Sequence, residues 1–238
     1  MRRAIIVSAV FVSFVVIASF LPPLSLKGTA QARSLSVRED FAAGTLSHWD
    51  MPYPEDWEIL AENGLHCLHM KRPRDPGVPR RPLQFARLRN VRVGSFDLHV
   101  RVRRQEHSMI VVFNYVDTLH FYYVHLSKEP GTSVAVHNGI FLVNGAPRRR
   151  IAGKLAPAAL PDQSWRLVHI VRDARSGSIK VFMDQQKEPL FSVVDRTFTC
   201  GQVGLGSFDE TGDFAQFQLR SDDADCSTTQ PDRRSPSP

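Results

Sequence analysis

Between His107 and Leu126 the chain reads HSMIVVFNYVDTLHFYYVHL. Two apolar runs flank a polar break at Asp117-Thr118, and rings crowd the second run: His120, Phe121, Tyr122, Tyr123 and His125. A half-buried strand needs apolar residues on one face only, so the remaining rings need another use. Along the second run His120, Tyr122, Val124 and Leu126 share one face, while Phe121, Tyr123 and His125 share the other. The latter set lacks aliphatic residues. With Phe113 and Tyr115 on the preceding run it forms a candidate concave binding face. Aromatic faces stack on the C–H surfaces of sugars, and Tyr, His and Arg supply hydrogen bonds that orient hydroxyls. The same residues can instead form a second buried layer with satisfied histidines, because Tyr and His are intermediate in burial preference.

Two other stretches add polar groups. In FDLHVRVRR, the residues Phe96, Leu98, Val100 and Val102 alternate with Asp97, His99, Arg101 and Arg103, so His99 and Arg101 point away from the core. In WRLVHIVRD, His169 lies opposite Val168 and Ile170. The candidate carbohydrate-binding set is therefore His99, Arg101, Phe113, Tyr115, Phe121, Tyr123, His125 and His169.

Glycoside hydrolysis would need two carboxylates roughly 5–9.5 Å apart. Asp97, Glu106, Asp117 and Glu129 lie near the proposed face in sequence, and no motif pairs any two of them. Asp117 sits where turn chemistry alone accounts for it, and His125 is the one candidate general base. No catalytic residue is assigned. Neither C-x-x-C nor H-E-x-x-H occurs, so no metal site is expected.

These residues must be carried by strands. Asn63-Gly64 and Asn138-Gly139 are hairpin turn signals, each expected to join two strands, the second pair within 131–145. SLSVREDF can open the sheet; SWRLVHIVRD, SIKVFMDQQ, PLFSVVD, GQVGLGSF and DFAQFQLR supply later strands. Short strands at about 8–12-residue spacing, with turn signals between them and no amphipathic helix, predict an all-β sandwich or barrel. Residues 71–82, KRPRDPGVPRRP, and residues 148–162 read as connections. Their basic clusters, Lys71, Arg72, Arg74, Arg80 and Arg81 in one and Arg148 to Arg150 in the other, are either solvated loop charge or an attraction for an anionic polysaccharide or a membrane surface.

The chain opens with MRR, followed by an uncharged run from Ala4 to Leu21 and the small-x-small triplet Ala30-Gln31-Ala32. This predicts a signal peptide over residues 1–32, cleaved after Ala32. The alternative is an uncleaved anchor, and only then would the protein contact a membrane. Loss of Arg2, Arg3 and Lys27 lowers the formal charge from +6 to +3, so much of the basic character belongs to the leader. No nucleic-acid partner is expected from the remainder. The exported domain is expected over 33–220, at the cell envelope or outside it, followed by a polar, Pro-rich disordered tail over 221–238. Export permits a disulfide. Cys67 and Cys200 lie in strand-like runs and can pair if those strands are neighbours, or remain two buried thiols; Cys226 is then the odd cysteine.

The C-terminal half resembles the concanavalin A-like lectin/glucanase superfamily in its laminin G-like bacterial branch. The residues that carry the likeness are Trp165 opening a strand, IKVFMDQQKEPLFSVVD with Asp184 and Asp195, and GQVGLGSFDETGDFAQFQL; Glu39 to Phe41 and Trp49 resemble the family's opening. The likeness covers roughly 37–220 and implies a jelly-roll of two antiparallel sheets whose first and last strands pair. It also implies an oligo- or polysaccharide partner, neutral or anionic, bound on the concave sheet or its rim. Hydrolysis of glycosides, or of 3-keto-disaccharides, is the alternative, and a structural or protein-interaction sandwich the third possibility. The glucanase E-x-D-x-x-E strand is absent. His107-Ser108-Met109-Ile110 and Val203-Gly204-Leu205-Gly206 stand where the keto-disaccharide branch has Asn-Ser-Gly-Ile and Leu-Gln-x-His-Gly. Phe214-Ala215-Gln216 replaces a Phe-Asp-Asp run whose acid can help hold calcium. No cofactor is therefore expected, with calcium the minor alternative.

Overall fold

The computed structural model describes residues 33–224 and Cys226; the expected leader, and the rest of the expected tail, lie outside them. Fifteen strands form two antiparallel sheets. In chain order they are β1 (Arg33–Glu39), β2 (Trp49–Asp50), β3 (Trp57–Glu62), β4 (Leu65–Met70), β5 (Phe85–Leu88), β6 (Phe96–Arg104), β7 (Ser108–Asp117), β8 (His120–Ser127), β9 (Gly139–Asn144), β10 (Arg149–Ala152), β11 (Arg166–Asp173), β12 (Ser178–Met183), β13 (Phe191–Val194), β14 (Gln202–Gly206) and β15 (Gly212–Ala224). Sheet A runs β13-β12-β11-β6-β15-β4-β3, with β1 also paired to β15; sheet B runs β10-β9-β8-β7-β14-β5-β2. The first and last strands pair, as the jelly-roll requires.

The period-two pattern of β6 decides its orientation. Phe96, Leu98, Val100 and Val102 are buried between the sheets, where they meet Val168 and Ile170 of β11 and Val111, Tyr122, Val124 and Ile140 of sheet B. Asp97, His99, Arg101 and Arg103 face outward and are partly exposed. The β3–β4 turn has Asn63 and Gly64 at φ 51° and 79°, the two positive values a two-residue hairpin needs.

Sheet B is buried on both sides. Its outer face carries a second apolar cluster of Phe85, Ile110, Val112, Tyr115, Phe121, Tyr123, Phe141 and Val143, none more than 6% exposed. The Pro/Arg stretch 71–84 is pinned across it. Arg81 Nε donates to Thr118 O (2.6 Å), and Arg148 N donates to Arg80 O (2.9 Å). Arg72 and Arg74 reach back to the buried carboxylate of Asp56, at 3.2 and 2.6 Å, and Arg150 donates to the carbonyls of Gly131, Val134 and His137. These arginines hold loops together rather than standing free in solvent.

Four expectations are corrected. Phe113 does not share a face with Tyr115. Phe113 keeps the alternation of Met109 and Val111 and packs in the inter-sheet core against Tyr122 and Phe96, while Asn114 adopts φ 44° and opens a bulge in β7 that puts Tyr115 on the outer face. The bulge is locked from behind, because a Cβ at Gly201 would lie 2.3 Å from Asn114 C. Residues 131–138 form turns rather than a strand, since Asn138 is buried and its side chain bridges Ser127 N, Ala159 N and Pro157 O. Cys200 pairs with Cys226, not with Cys67, which is a buried thiol. The pairing is possible because β15 runs past residue 220 to Ala224, beyond the expected start of the tail.

Candidate functional site

One end of the outer face of sheet B gathers an unusual set of polar groups. β8 brings Tyr123 and His125, β7 brings Ser108, and β7–β8 pairing places Ser108 opposite Ser127. The β9–β10 turn delivers Arg148, and the β14–β15 connection delivers Phe208 and Glu210. His125 is 1% exposed, with Nε2 2.7 Å from Ser108 Oγ and Nδ1 3.2 Å from Arg148 Nη1.

Arg148 is 9% exposed and lies flat over Phe208, its Cζ 3.7 Å from the ring centroid. Nη1 donates to Tyr123 OH (2.9 Å). Its Nε and Nη2 are buried and find no hydrogen-bond partner among the described residues. Arg80 lies over the same ring at 4.8 Å and reaches Asp209 at 4.0 Å. Burying a guanidinium without an anion costs several kcal/mol, about the scale of a broken buried ion pair, so a counter-charge is called for.

Two carboxylates stand at the rim in different states. Burial pushes Glu129 up, but the Ser127 hydroxyl and the His107 ring N–H (3.2 Å) outweigh it and bring its pKa down to about 2. Burial raises Glu210 above the usual range, although it accepts from the backbone N–H of His107 and Ser108. Burial, then Arg148, His137 and Arg80, holds His125 well below its ordinary value. His137 is lowered as well, by burial first; its Nδ1 is buried without a hydrogen bond, 3.6 Å from Glu129.

The Ser108–His125 contact is not a nucleophile–base pair. Arg148 presents an N–H to Nδ1, which must therefore carry the lone pair; the ring proton is on Nε2 and is donated to Ser108 Oγ. A base would need the reverse arrangement and a carboxylate behind the ring.

The expected site residues fall in four places. Tyr123 and His125 belong to this cluster. Phe121 and Tyr115 lie further along the same face, packed against Phe85 at 5.6 Å each, and Phe113 is in the inter-sheet core. His99, Arg101 and His169 lie on the outer face of sheet A, with the whole sandwich between them and Tyr123. Among the expected carboxylates, Glu129 joins the cluster, Asp97 sits beside His99, Glu106 is exposed in the β6–β7 turn, and Asp117 accepts from Leu119 N and His120 Nδ1 in the β7–β8 turn. Phe208, Glu210 and His137 were not expected. Arg80 and Arg148 showed only as members of basic runs.

No family model matches the chain, and no curated protein sequence matches it. Solved structures do. The carbohydrate binding module CBM66 from Bacillus subtilis superposes with a TM-score of 0.51 at 12% identity, over 73% of this chain and 96% of that one. A Bacillus subtilis protein of unknown function with a galectin-like fold gives 0.52 at 12%, over 79% and 95%. The GH43 protein BlXynB from Bacillus licheniformis gives 0.55 at 14%, over 77% of this chain but 39% of that one. The fold is that of the concanavalin A-like sandwiches.

Proposed function

We propose that the protein is an exported carbohydrate-binding module that holds an acidic saccharide at the Arg148 end of sheet B. One observation carries this: Nε and Nη2 of Arg148 are buried and unpartnered. They form the side-on edge of the guanidinium, the pair of N–H groups that grips a carboxylate or sulfate in two parallel hydrogen bonds. Arg80 supplies a second cation over the same ring. The ring nitrogens of His137 and His107 and the Glu129 carboxylate are placed to meet hydroxyls. The fold supports the reading, as one neighbour is itself a carbohydrate binding module. The aromatic face is packed beneath loops, so recognition is by the polar rim rather than by stacking on Phe121 or Tyr115. Export rests on the leader expected over residues 1–32, and membership of the laminin G-like branch on the sequence resemblance.

The test is calorimetric titration with neutral, uronate-containing and sulfated oligosaccharides at low and high salt. An acidic oligosaccharide should bind, and Arg148→Ala should weaken it at least about tenfold with the fold intact by circular dichroism, as expected for a desolvated charge-assisted pair. Equal binding of neutral and acidic sugars, or none of either, would defeat the proposal.

Hydrolysis is a second possibility, favoured by the split between Glu129, ionised, and Glu210, shifted toward its acid form, which flank the same His107. A pair of carboxylates driven apart in pKa suits a base and an acid. Release of reducing ends from a bound oligosaccharide, lost in Glu210→Gln, would establish it.

A further inference from the structure

On the opposite side of the molecule, three side chains that can ligate a metal converge on the outer face of sheet A. His169 of β11 and His99 of β6 are direct cross-strand partners. Asp97 lies two residues before His99 and so projects from the same face. Its carboxylate spans both rings: Oδ1 is 3.0 Å from His99 Nδ1, and Oδ2 is 3.0 Å from His169 Nε2. One ligand atom from each residue lies within 4.8 Å of the other two. The two imidazoles are stacked at 3.9 Å with a 10° interplanar angle, and Phe182 of β12 stacks on His169 from the far side at 5.3 Å.

We propose that Asp97, His99 and His169 bind a divalent first-row transition-metal ion, zinc being the probe of choice. Zinc bonds imidazole nitrogen and carboxylate oxygen at about 2.0–2.2 Å, which sets neighbouring ligands roughly 3 Å apart. The observed N···O separations already have that value. A metal at the centre would replace two ring N–H···O hydrogen bonds by two N–metal bonds and one O–metal bond, and because each lone pair lies in its ring plane the stacked rings must tilt out of parallel to share the ion. Two imidazoles and one carboxylate select zinc, nickel, copper or cobalt over calcium, which takes six to eight oxygens. The side chains are 38%, 45% and 28% exposed for His99, Asp97 and His169, so water can complete the coordination.

The surroundings limit affinity without closing the site. Arg220 of β15 is the register partner of Asp97, and Lys180 of β12 is paired with Val171, the neighbour of Asp97 across β6–β11. Both cations oppose a bound metal. The Phe182 ring, stacked on His169, resists the tilt that coordination requires and limits affinity further. The site shares no residue with the Arg148 cluster and does not depend on the saccharide proposal.

The experiment is titration of the untagged protein, stripped with chelator, with zinc chloride, followed by calorimetry and by a thermal melt. Cobalt(II) absorption reports the ligand set. One zinc per chain is expected, with a raised Tm. His99→Ala and His169→Ala should each weaken binding at least about tenfold, the scale on which even supporting residues of metal sites act. Asp97→Asn should weaken it too, and calcium should have no effect. These side chains are partly exposed, so the variants should fold, and their melts without metal check it. His137→Ala is the control for zinc captured by the His107–Glu129–His137 group. The proposal is overturned if zinc fails to bind below about 1 mM, if His99→Ala and His169→Ala bind it as well as the parent, or if His137→Ala alone abolishes binding.

Discussion

Nη1 of Arg148 lies 3.2 Å from Nδ1 of His125, and after burial it is the largest influence on the protonation of that ring. Full burial disfavours the charged ring, and a cation facing its nitrogen adds to the effect. The folded protein thus holds His125 neutral, while the unfolded chain protonates it near its ordinary value of 6.5. The unfolded state binds the extra proton, so stability falls as pH drops below about 6.5, with a slope approaching about 1.4 kcal/mol per pH unit for one such group. Glu129, down at about 2, adds a second loss that begins near 4.5. A plot of Tm against pH should be flat from about pH 7 to 8, decline below 6.5 and steepen below 4.5. His125→Gln, which keeps a donor toward Ser108 and an acceptor toward Arg148, should make the first decline shallower, leaving the share of His137 and His99, which burial also lowers. A curve unchanged by that substitution would show that His125 is not the titrating group.

Arg148 should be costly to keep. Its charge is buried and two of its N–H groups lack partners, and an apolar residue of similar length often replaces such a cation without loss. Arg148→Met relieves that cost and in exchange leaves Tyr123 OH and His125 Nδ1 without their donor; the two should offset to leave the melting curve within the equivalent of about 1 kcal/mol of the parent, while abolishing saccharide binding. A residue that is neutral for stability and essential for binding is what a binding site predicts. Loss of several kcal/mol in this variant would make Arg148 structural instead.

Arg172 provides the contrast. It is also a buried arginine, 2% exposed, but its donors are used: Nε to Asn114 Oδ1, Nη1 to the carbonyls of Gly177 and Asp195, Nη2 to that of Phe198. It holds the β7 bulge and the connection after β13 to the end of β11. Arg172→Met strands these acceptors, each at about 1–3 kcal/mol, so chemical denaturation should show a loss of at least about 3 kcal/mol. Saccharide binding by the variant, where it still folds, should be unaffected.

Much of this architecture is written in local pattern, and the site is not. The alternation Phe96, Leu98, Val100, Val102 announces one buried face and places His99 and Arg101 outside it, because a strand repeats every two residues whatever it pairs with. Asn63-Gly64 announces its hairpin for an equally local reason. That Phe113 and Tyr115 lie on opposite faces depends on a bulge at Asn114, which is stabilised by Val93, Gly201 and Arg172, residues far away in sequence. Phe208 meets Arg148 and His125 only because β14 crosses to pair with β7, and no spacing in the chain announces that. The same holds for His99 and His169: Asp97-x-His99 is visible in sequence, but its partner lies in β11. Aromatic residues on the outer face of sheet B looked like an open surface because composition does not show that the 71–84 loop covers them.

The cysteines give a direct chemical readout. The Cys200–Cys226 bond ties the last described residue to the start of β14 and closes a loop with a sequence separation of 26. A loop of that size stabilises by about 3 kcal/mol in the chain-entropy description. Reduction or Cys226→Ser should therefore lower Tm by several degrees, with β1–β15 pairing the first to loosen, since Ala224 and Ser221 pair with Arg33 and Leu35 just upstream of Cys226. Cys67 should be silent. It is buried on β4, and burial first, with Asp213 nearby, pushes its thiol up to about 11, so little thiolate is present at neutral pH. A thiol reagent added to the native, unreduced protein should react slowly or not at all, then titrate one thiol once the chain is unfolded. Two or three thiols under those conditions would show that the bond is absent, and fast reaction of the native protein would show that β4 opens readily.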